Sequence, residues 1–193
     1  MKRKKGLSFA EPKKKLDIPF LKGRLFFVIE LFFVVAAAYV FVVAFGTQIV
    51  AIGNSMAPQI EDGDVLLCDK FIYILKKPSM DDVIAFYPNG NRKTHLHVKR
   101  VIGVPGDEVW ITGGVCYVNG EAYNGRYINT TIEDAGLAAD PITLGEDQYF
   151  VLSDHTSGSE DSRFSSIGFV SLDSIYGKVW MKYSDISSIG LVR

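Results

Sequence analysis

One segment of the chain is apolar on every side. From Leu25 to Phe45 the sequence reads LFFVIELFFVVAAAYVFVVAF, 21 residues with a single charge at Glu30. A helix of this length, at roughly 1.5 Å per residue, spans about 30 Å, the hydrocarbon thickness of a bilayer. A buried core helix is rarely apolar all round, and a cleaved signal peptide has a shorter apolar region with a small-residue cleavage site. The pattern predicts a transmembrane helix over residues 25–45.

Beyond this segment the pattern changes to short apolar runs separated by turn residues, which is typical of a β-rich domain. No long stretch after residue 46 repeats with the helical period. Gly113-Gly114 and Asn119-Gly120 stand where tight hairpin turns require positive φ, whereas residues 120–147 are predicted to be irregular. The predicted strands are Gln48–Ile52, Val65–Lys70, Val83–Tyr87, His97–Gly103, Glu108–Thr112, Val115–Val118, Gln148–Ser153 and Ser174–Tyr183.

The charge is divided unevenly along the chain, although its sum is only −1. Residues 1–24 contain nine Lys or Arg and only two acidic residues, Glu11 and Asp17. Basic residues that flank a span stay on the cytoplasmic side. We therefore predict a cytoplasmic basic arm (1–24), a single span (25–45) with Glu30 near Lys22 or Arg24, and an extracytoplasmic domain (46–193). The arm is interpreted as a topology signal and not as a nucleic-acid-binding tail.

The chain has two cysteines, Cys68 and Cys116. A disulfide is permitted outside the cell, but pairing cannot be deduced from spacing. Neither cysteine has a Cys or His neighbour at ligand spacing. We predict two unpaired, partly buried thiols and no metal site.

Three segments carry candidate chemistry, and the first is GNSMAPQIEDGD, residues 53–64. Here a strand leads into Gly53, Ser55 follows, and Pro58 prevents a regular helix start. Most serines in turns are structural. A nucleophilic serine also needs a base nearby, and this segment lacks the strand–turn–helix context of the G-x-S-x-G elbow.

The second segment is HVKRVIGVPGDEV, residues 97–109. On a strand, Lys99 and Arg100 lie on opposite faces. The pair could be solvated on a sheet edge, but burial beside Val101 would disfavour the ammonium form of Lys99. A fall in its pKa from ~10.4 to ~7–8 is worth about 4 kcal/mol. A neutral Lys99 amine could then accept the proton of the Ser55 hydroxyl.

The third segment is SDHTSGSEDSRF, residues 153–164. Alone it is typical of a polar loop. Its Ser, Asp and Arg residues would also suit a group that orients a catalytic lysine.

In this order and spacing the segments resemble the bacterial type I signal peptidases, of the short single-span form common in Gram-positive organisms. The resemblance includes the basic arm, the span, Ser-Met-x-Pro, Lys-Arg-Val-Ile-Gly-x-Pro-Gly-Asp and Ser-x-Asp-Ser-Arg. It implies a mainly β extracytoplasmic domain on one N-terminal transmembrane helix. It also implies a serine endopeptidase that cleaves signal peptides after small residues, of the Ala-X-Ala type, without metal or cofactor. The implied partners are signal peptides of exported preproteins, the bilayer and a nearby secretion translocon, with no nucleic acid.

The resemblance also implies a role for each matching residue. Ser55 would be the nucleophile and Lys99 the general base of a Ser/Lys dyad. Met56 would shape the cleft, and Gly53 stands where some relatives supply a hydroxyl to the oxyanion, which backbone N–H groups around Ser55 would bind. Ser159 would support the lysine through its hydroxyl. Two structural ion pairs are implied, Asp161 with Arg163 and Asp154 with Arg100.

Two positions depart from the family pattern. Ser153-Asp154-His155 stands where Gly-Asp-Asn is usual, and Gln59 stands where Thr is usual. A specialised peptidase with few substrates, for example surface pilins, is one alternative. The others are a serine–histidine mechanism, a self-cleaving repressor and a membrane-anchored binding module without activity. Lys at position 99, where the histidine mechanism would have His, favours the Ser/Lys dyad.

Overall fold

The computed structural model describes residues 18–125, 127–128, 131–184 and 189–192, in two compact units that divide between Val40 and Phe41. Helix α1, Ile18–Phe45, runs through the described part of the first unit. It begins before the apolar run, because the missing N–H of Pro19 falls in the first turn, where amides lack helical partners. Residues Lys22–Val43 form a candidate membrane span with a mean hydropathy of 2.7 and no burial. This exposure argues against a buried core helix.

The second unit, from Phe41, is mostly β, as predicted. All eight predicted strands are present, three of them with the predicted bounds. Three two-residue strands were not predicted, because so short a segment shows no alternation. The elements are β1 Thr47–Val50, β2 Val65–Asp69, α2 Ile72–Leu75, β3 Val83–Phe86, β4 His97–Gly103, β5 Glu108–Thr112, β6 Val115–Val118, β7 Glu121–Ala122, β8 Ile142–Thr143, β9 Phe150–Leu152, β10 Ile175–Tyr183 and β11 Gly190–Leu191.

The strands form two antiparallel sheets. The larger has the order β1-β2-β10-β3-β4-β9, with β11 also paired to β10, and the smaller has the order β7-β6-β5-β8. The β5–β6 turn has φ of +58° at Gly113 and +80° at Gly114, the pair of positive angles that defines a type I′ hairpin. In the larger sheet β4 lies between β3 and β9, so both edges of its backbone are hydrogen-bonded. A side chain on β4 is therefore held on a rigid, paired strand.

Three apolar clusters fill this unit. One contains residues of the smaller sheet with Ile102, Phe150 and Leu152. A second contains Met56 and Ile60 together with residues of β2, β3 and β10. A third lies on β3, β4 and β9. In the second cluster Met56, the residue after Ser55, ties the turn of Ser55 to the sheet.

Both cysteines are free and buried, and they lie in different clusters. Burial raises the pKa of each thiol to about 12. Both thiols are therefore protonated at neutral pH and poorly nucleophilic.

Candidate active site

Ser55 lies in a turn that follows β1 and is stabilised from both sides. The Gly53 N–H donates to Asp62 Oδ1 at 2.7 Å, and the Asp62 N–H donates to Asn54 Oδ1 at 3.2 Å. Gly53 has φ of +78°, a conformation that glycine adopts without steric cost. The side chain of Met56 is 2% exposed and packs into the core. Ser55 therefore lies between two fixed residues. Hydrogen bonds hold the Gly53 side of the turn, and core packing holds Met56 on the other side.

Lys99 lies on β4, opposite Ile84 of β3, and is only 4% exposed. Burial lowers the pKa of the Lys99 amine to about 8; Asp161, Asp154 and Glu160 raise it, and Arg163 lowers it further. Within the described residues, Lys99 Nζ has neither a hydrogen-bond acceptor nor an ion-pair partner. At this pKa about a tenth of the amine is neutral at pH 7, far more than for a solvated lysine.

Ser55 and Lys99 line one cleft of about 240 Å³. Three other predicted site residues, Gly53, Met56 and Ser159, line it as well. The rest of the lining comes from the β1 end, the segment before and along β4, and the loop after β9: Ala51, Ile52, Asn54, Ile60, His95, Leu96, His97, Val98, Gly158 and Glu160. A serine, a buried lysine and a second serine thus line one common cleft.

Arg100, the next residue on β4, differs from Lys99 because its charged group has several polar partners. Its guanidinium forms a two-pronged ion pair with Asp154, with Nε and Nη2 each 2.7 Å from a carboxylate oxygen. It also donates to the carbonyl of Asp81 at 2.9 Å and to Gln59 Oε1 at 2.7 Å, and it lies 3.7 Å from the ring centre of Tyr127. The predicted pair of Arg100 and Asp154 is therefore present, at 0% and 1% exposure.

The second predicted ion pair, Asp161 with Arg163, shapes the loop after β9. Arg163 Nε is 2.8 Å from Asp161 Oδ1, and both side chains are buried. The same guanidinium donates to the carbonyls of Thr156, at 2.8 Å, Asp134, at 3.0 Å, and Ser159, at 3.3 Å. The loop that carries Ser159 is therefore fixed by a buried ion pair, and Ser159 itself lines the cleft.

The two departures from the family pattern also acquire structural roles. Gln59 accepts a hydrogen bond from Arg100, and the backbone N–H of His155 donates to the carbonyl of Ser55 at 2.9 Å. The latter bond links the loop after β9 directly to the turn of Ser55. Ser153 is 0% exposed and its N–H donates to Asp161, while its hydroxyl lacks a hydrogen-bond partner in the described chain.

The sequence offered His95 and His97 only as candidates for the alternative serine–histidine mechanism, and in the structure both line the cleft. Their rings stack, with centroids 4.8 Å apart, and their Nε2 atoms are 3.1 Å apart. Burial lowers the pKa of His97 to about 4, with Lys99 and His95 lowering it further, so its imidazole is a weak base. His97 begins β4 and His95 lies two residues before it, and this i, i+2 spacing in near-extended backbone is the signal that could have revealed the pair.

A profile of the family described as "Signal peptidase, peptidase S26" matches residues 25–184, most of the chain. The chain belongs to this family. The resemblance drawn from the sequence motifs is therefore confirmed.

The sequences of two individual relatives support the family assignment. The chain is 32% identical over 143 residues to "Probable signal peptidase I-2" of a Synechocystis species, a match that covers 72% of this chain and 63% of that protein. It is 35% identical over 143 residues to "Signal peptidase I" of Bacillus caldolyticus, covering 68% of this chain and 75% of that protein. A crystal structure of a signal peptidase I from Enterococcus faecalis aligns with 53% of this chain and 97% of its own, at 32% identity and a TM-score of 0.44.

Proposed function

We propose that this chain is a membrane-bound serine endopeptidase that cleaves signal peptides from exported preproteins, with Ser55 as nucleophile and Lys99 as general base. The observation that supports it most is the shared cleft, in which a buried lysine without a carboxylate partner faces a serine held in a fixed turn. Membership of the signal peptidase family supports the substrate class.

The first half of the reaction forms an acyl-enzyme. The neutral amine of Lys99 takes the proton of the Ser55 hydroxyl as Oγ attacks the carbonyl carbon of the scissile peptide bond. The tetrahedral intermediate then collapses, and the Lys99 ammonium gives its proton to the departing amine. The new N-terminus of the mature protein leaves, and the signal peptide remains as an ester on Ser55.

The second half releases the signal peptide. Lys99, neutral again, takes a proton from a water molecule whose oxygen attacks the ester carbonyl. Collapse returns the proton to Ser55 and frees the carboxylate of the signal peptide. One lysine thus serves as base and acid in both halves, which requires a pKa near the working pH and not near ~10.4.

The oxyanion needs preorganised donors near Ser55. Gly53 lacks the hydroxyl that some relatives have there, and its N–H is already bonded to Asp62. Within the described chain, the N–H groups of Ser55 and Met56 have no acceptor. We assign the oxyanion to these amides, where the loss of one such donor typically costs about 2.7–4 kcal/mol.

We infer that substrates have small residues, commonly Ala, at the first and third positions before the cut. A cleft of about 240 Å³, walled by Met56 and Ile60 against Lys99, has limited room for side chains on that side. A panel of preproteins with Ala, Ser, Leu or Phe at each position tests this. Equal cleavage of the Ala and Phe substrates would contradict it.

We propose that the N-terminus is cytoplasmic and Ser55 extracytoplasmic, near the translocon that delivers the substrate. The nine basic residues before the span support this orientation. Protease added to intact protoplasts should digest the domain after residue 46. Protection of that domain would contradict the orientation.

Cleavage of a model preprotein by the purified full chain in detergent tests the activity itself. The wild type should release the mature protein, whose new N-terminus is read by mass spectrometry. Ser55→Ala and Lys99→Ala should be inactive, whereas Ser157→Ala and Lys93→Ala, at exposed positions, should cleave normally. Wild-type turnover by Ser55→Ala would refute the assignment.

A further inference from the structure

The paired histidines of the cleft have no role in the reaction described above. The Nε2 atoms of His95 and His97 are 3.1 Å apart, and their ring planes are inclined by 19°. In the described chain, each imidazole has the other as its sole hydrogen-bond partner. His95 is exposed and His97 half-buried, so an ion can reach them from solvent.

The spacing of these nitrogens suits a chelated transition metal. Zn–N bonds of about 2.0–2.1 Å at a tetrahedral angle place two ligand nitrogens about 3.3 Å apart. Because the two rings are nearly parallel, the exposed His95 ring must rotate about χ2, a torsion with a broad minimum, before both lone pairs point at one ion. Imidazole suits zinc, copper and nickel, whereas magnesium and calcium prefer oxygen.

We propose that His95 and His97 form a two-histidine site for a divalent transition metal ion, and that the bound ion inhibits the peptidase by occupying the cleft. Water fills the remaining ligand positions. This revises the expectation of no metal site, which rested on the neighbours of the cysteines and on the family resemblance. The ion is an exchangeable inhibitor and no part of catalysis. The inhibitory part of the inference rests on the proposed peptidase activity, and the binding part does not.

The position of the site predicts the type of inhibition. His97 and Lys99 are two residues apart on β4 and line the same cleft. An extended substrate that reaches Ser55 and Lys99 must pass this wall, so the ion and the substrate compete. Zinc should therefore raise KM and leave kcat unchanged, and excess Mg²⁺ should have no effect.

Isothermal titration of the full chain with Zn²⁺ in detergent, purified without a histidine tag, tests the binding part. We expect one tight site in the wild type. His95→Gln and His97→Gln should each weaken it at least about tenfold, since even loss of a residue that only orients a ligand costs 10–100-fold. His155→Gln, at the remaining histidine of the chain, and Ser55→Ala should bind zinc like the wild type.

Cleavage assays with the same proteins test the inhibitory part, with each variant normalised to its own rate in chelator. The His95→Gln variant should need at least about tenfold more zinc for half-inhibition than wild type or His155→Gln. Absence of zinc binding by the wild type, or wild-type affinity in His95→Gln, overturns the site. Binding without competitive inhibition overturns its regulatory role. Zinc binding by a chain that cleaves nothing would sustain the site and refute the peptidase proposal.

Discussion

Lys99 and Arg100 are neighbours on β4, yet their side chains lie in opposite environments. The guanidinium of Arg100 has a two-pronged ion pair with Asp154, two further acceptors and the ring of Tyr127. The amine of Lys99 is nearly as buried but has no such partner in the described chain, and its pKa falls to about 8.

The difference shows how one strand can carry a structural residue and a candidate base side by side. Arginine stays charged in proteins, so a buried arginine must be paired fully, and it then serves as a fixed anchor. Lysine loses its proton when desolvated, so the same burial without a partner yields a base. Successive side chains on β4 point to opposite faces of the sheet, so a paired arginine and an unpaired lysine can stand at adjacent positions.

The largest expected effect lies on the Lys99 side. Lys99→Met keeps the length of the side chain and removes the base, so kcat/KM for a model preprotein should fall by about 10²–10⁴. Lys99→Arg should be nearly as inactive, because the guanidinium stays protonated. Lys93→Met, at an exposed position, is the control. Substantial turnover by Lys99→Arg would remove Lys99 from the mechanism.

Replacing the next residue, Arg100, by Met should lower the free energy of unfolding. Arg100→Met leaves the Asp154 carboxylate buried without its partner, which typically costs about 3–5 kcal/mol. Urea unfolding of the full chain in detergent, followed by the fluorescence of Trp110 and Trp180, measures the loss. Arg92→Met, at an exposed position, should be neutral. An unchanged unfolding free energy in Arg100→Met would mean that the network is not structurally required.

Lys99→Met should have the opposite effect on stability. The pKa of Lys99 is about 8 in the folded chain and near 10.5 when unfolded, so folding opposes the charged form. The unfolded state binds more protons between these values, and the wild type therefore gains stability as pH rises through this window. Lys99→Met should be more stable by about 3 kcal/mol below pH 8, at ~1.36 kcal/mol per pKa unit, and the advantage should vanish by about pH 10.5. A variant less stable than wild type at pH 7 would contradict this.

The smallest expected effect concerns Ser159, which lines the cleft with Lys99 but forms no hydrogen bond to it in the structure, and whose hydroxyl we propose supports the Lys99 amine during the reaction. Ser159→Ala should lower kcat by about tenfold, the value of one hydrogen bond, with little change in KM. Ser159→Thr should retain more activity, since it keeps the hydroxyl. Ser157→Ala on the same loop is the control. Equal, wild-type rates for the Ala and Thr variants would leave Ser159 a loop residue only.

Much of the fold could be predicted because it follows from the pattern of residues within single segments. The apolar run predicts a long helix, and the short run His97–Gly103 between turn residues predicts a strand, whose pleat separates Lys99 from Arg100. The two-residue strands such as Ile142–Thr143 could not be predicted, since tertiary pairing alone defines them. Residues 1–17 of the predicted basic arm lie outside the described residues, and the remainder of the arm, 18–24, is the first part of helix α1.

Parts of the site were likewise beyond sequence reasoning. The motif suggested Asp154 for Arg100, but not Gln59 or Tyr127, because those partners depend on how distant loops fold together. The bond from His155 to the carbonyl of Ser55 uses a backbone N–H, which residue identity does not reveal. The histidine pair was visible as an i, i+2 spacing, but its ring geometry was not.

The pH dependence of kcat/KM tests the central claim most directly. We would measure cleavage of a model preprotein from pH 6 to 10 in the presence of a chelator, since kcat/KM reports ionisations of the free enzyme. We predict a rise through a single ionisation near pH 8, the pKa of the buried Lys99 amine. A rise centred near ~10.4, the value of a solvated lysine, or near ~6.5, the value of histidine, would contradict the account.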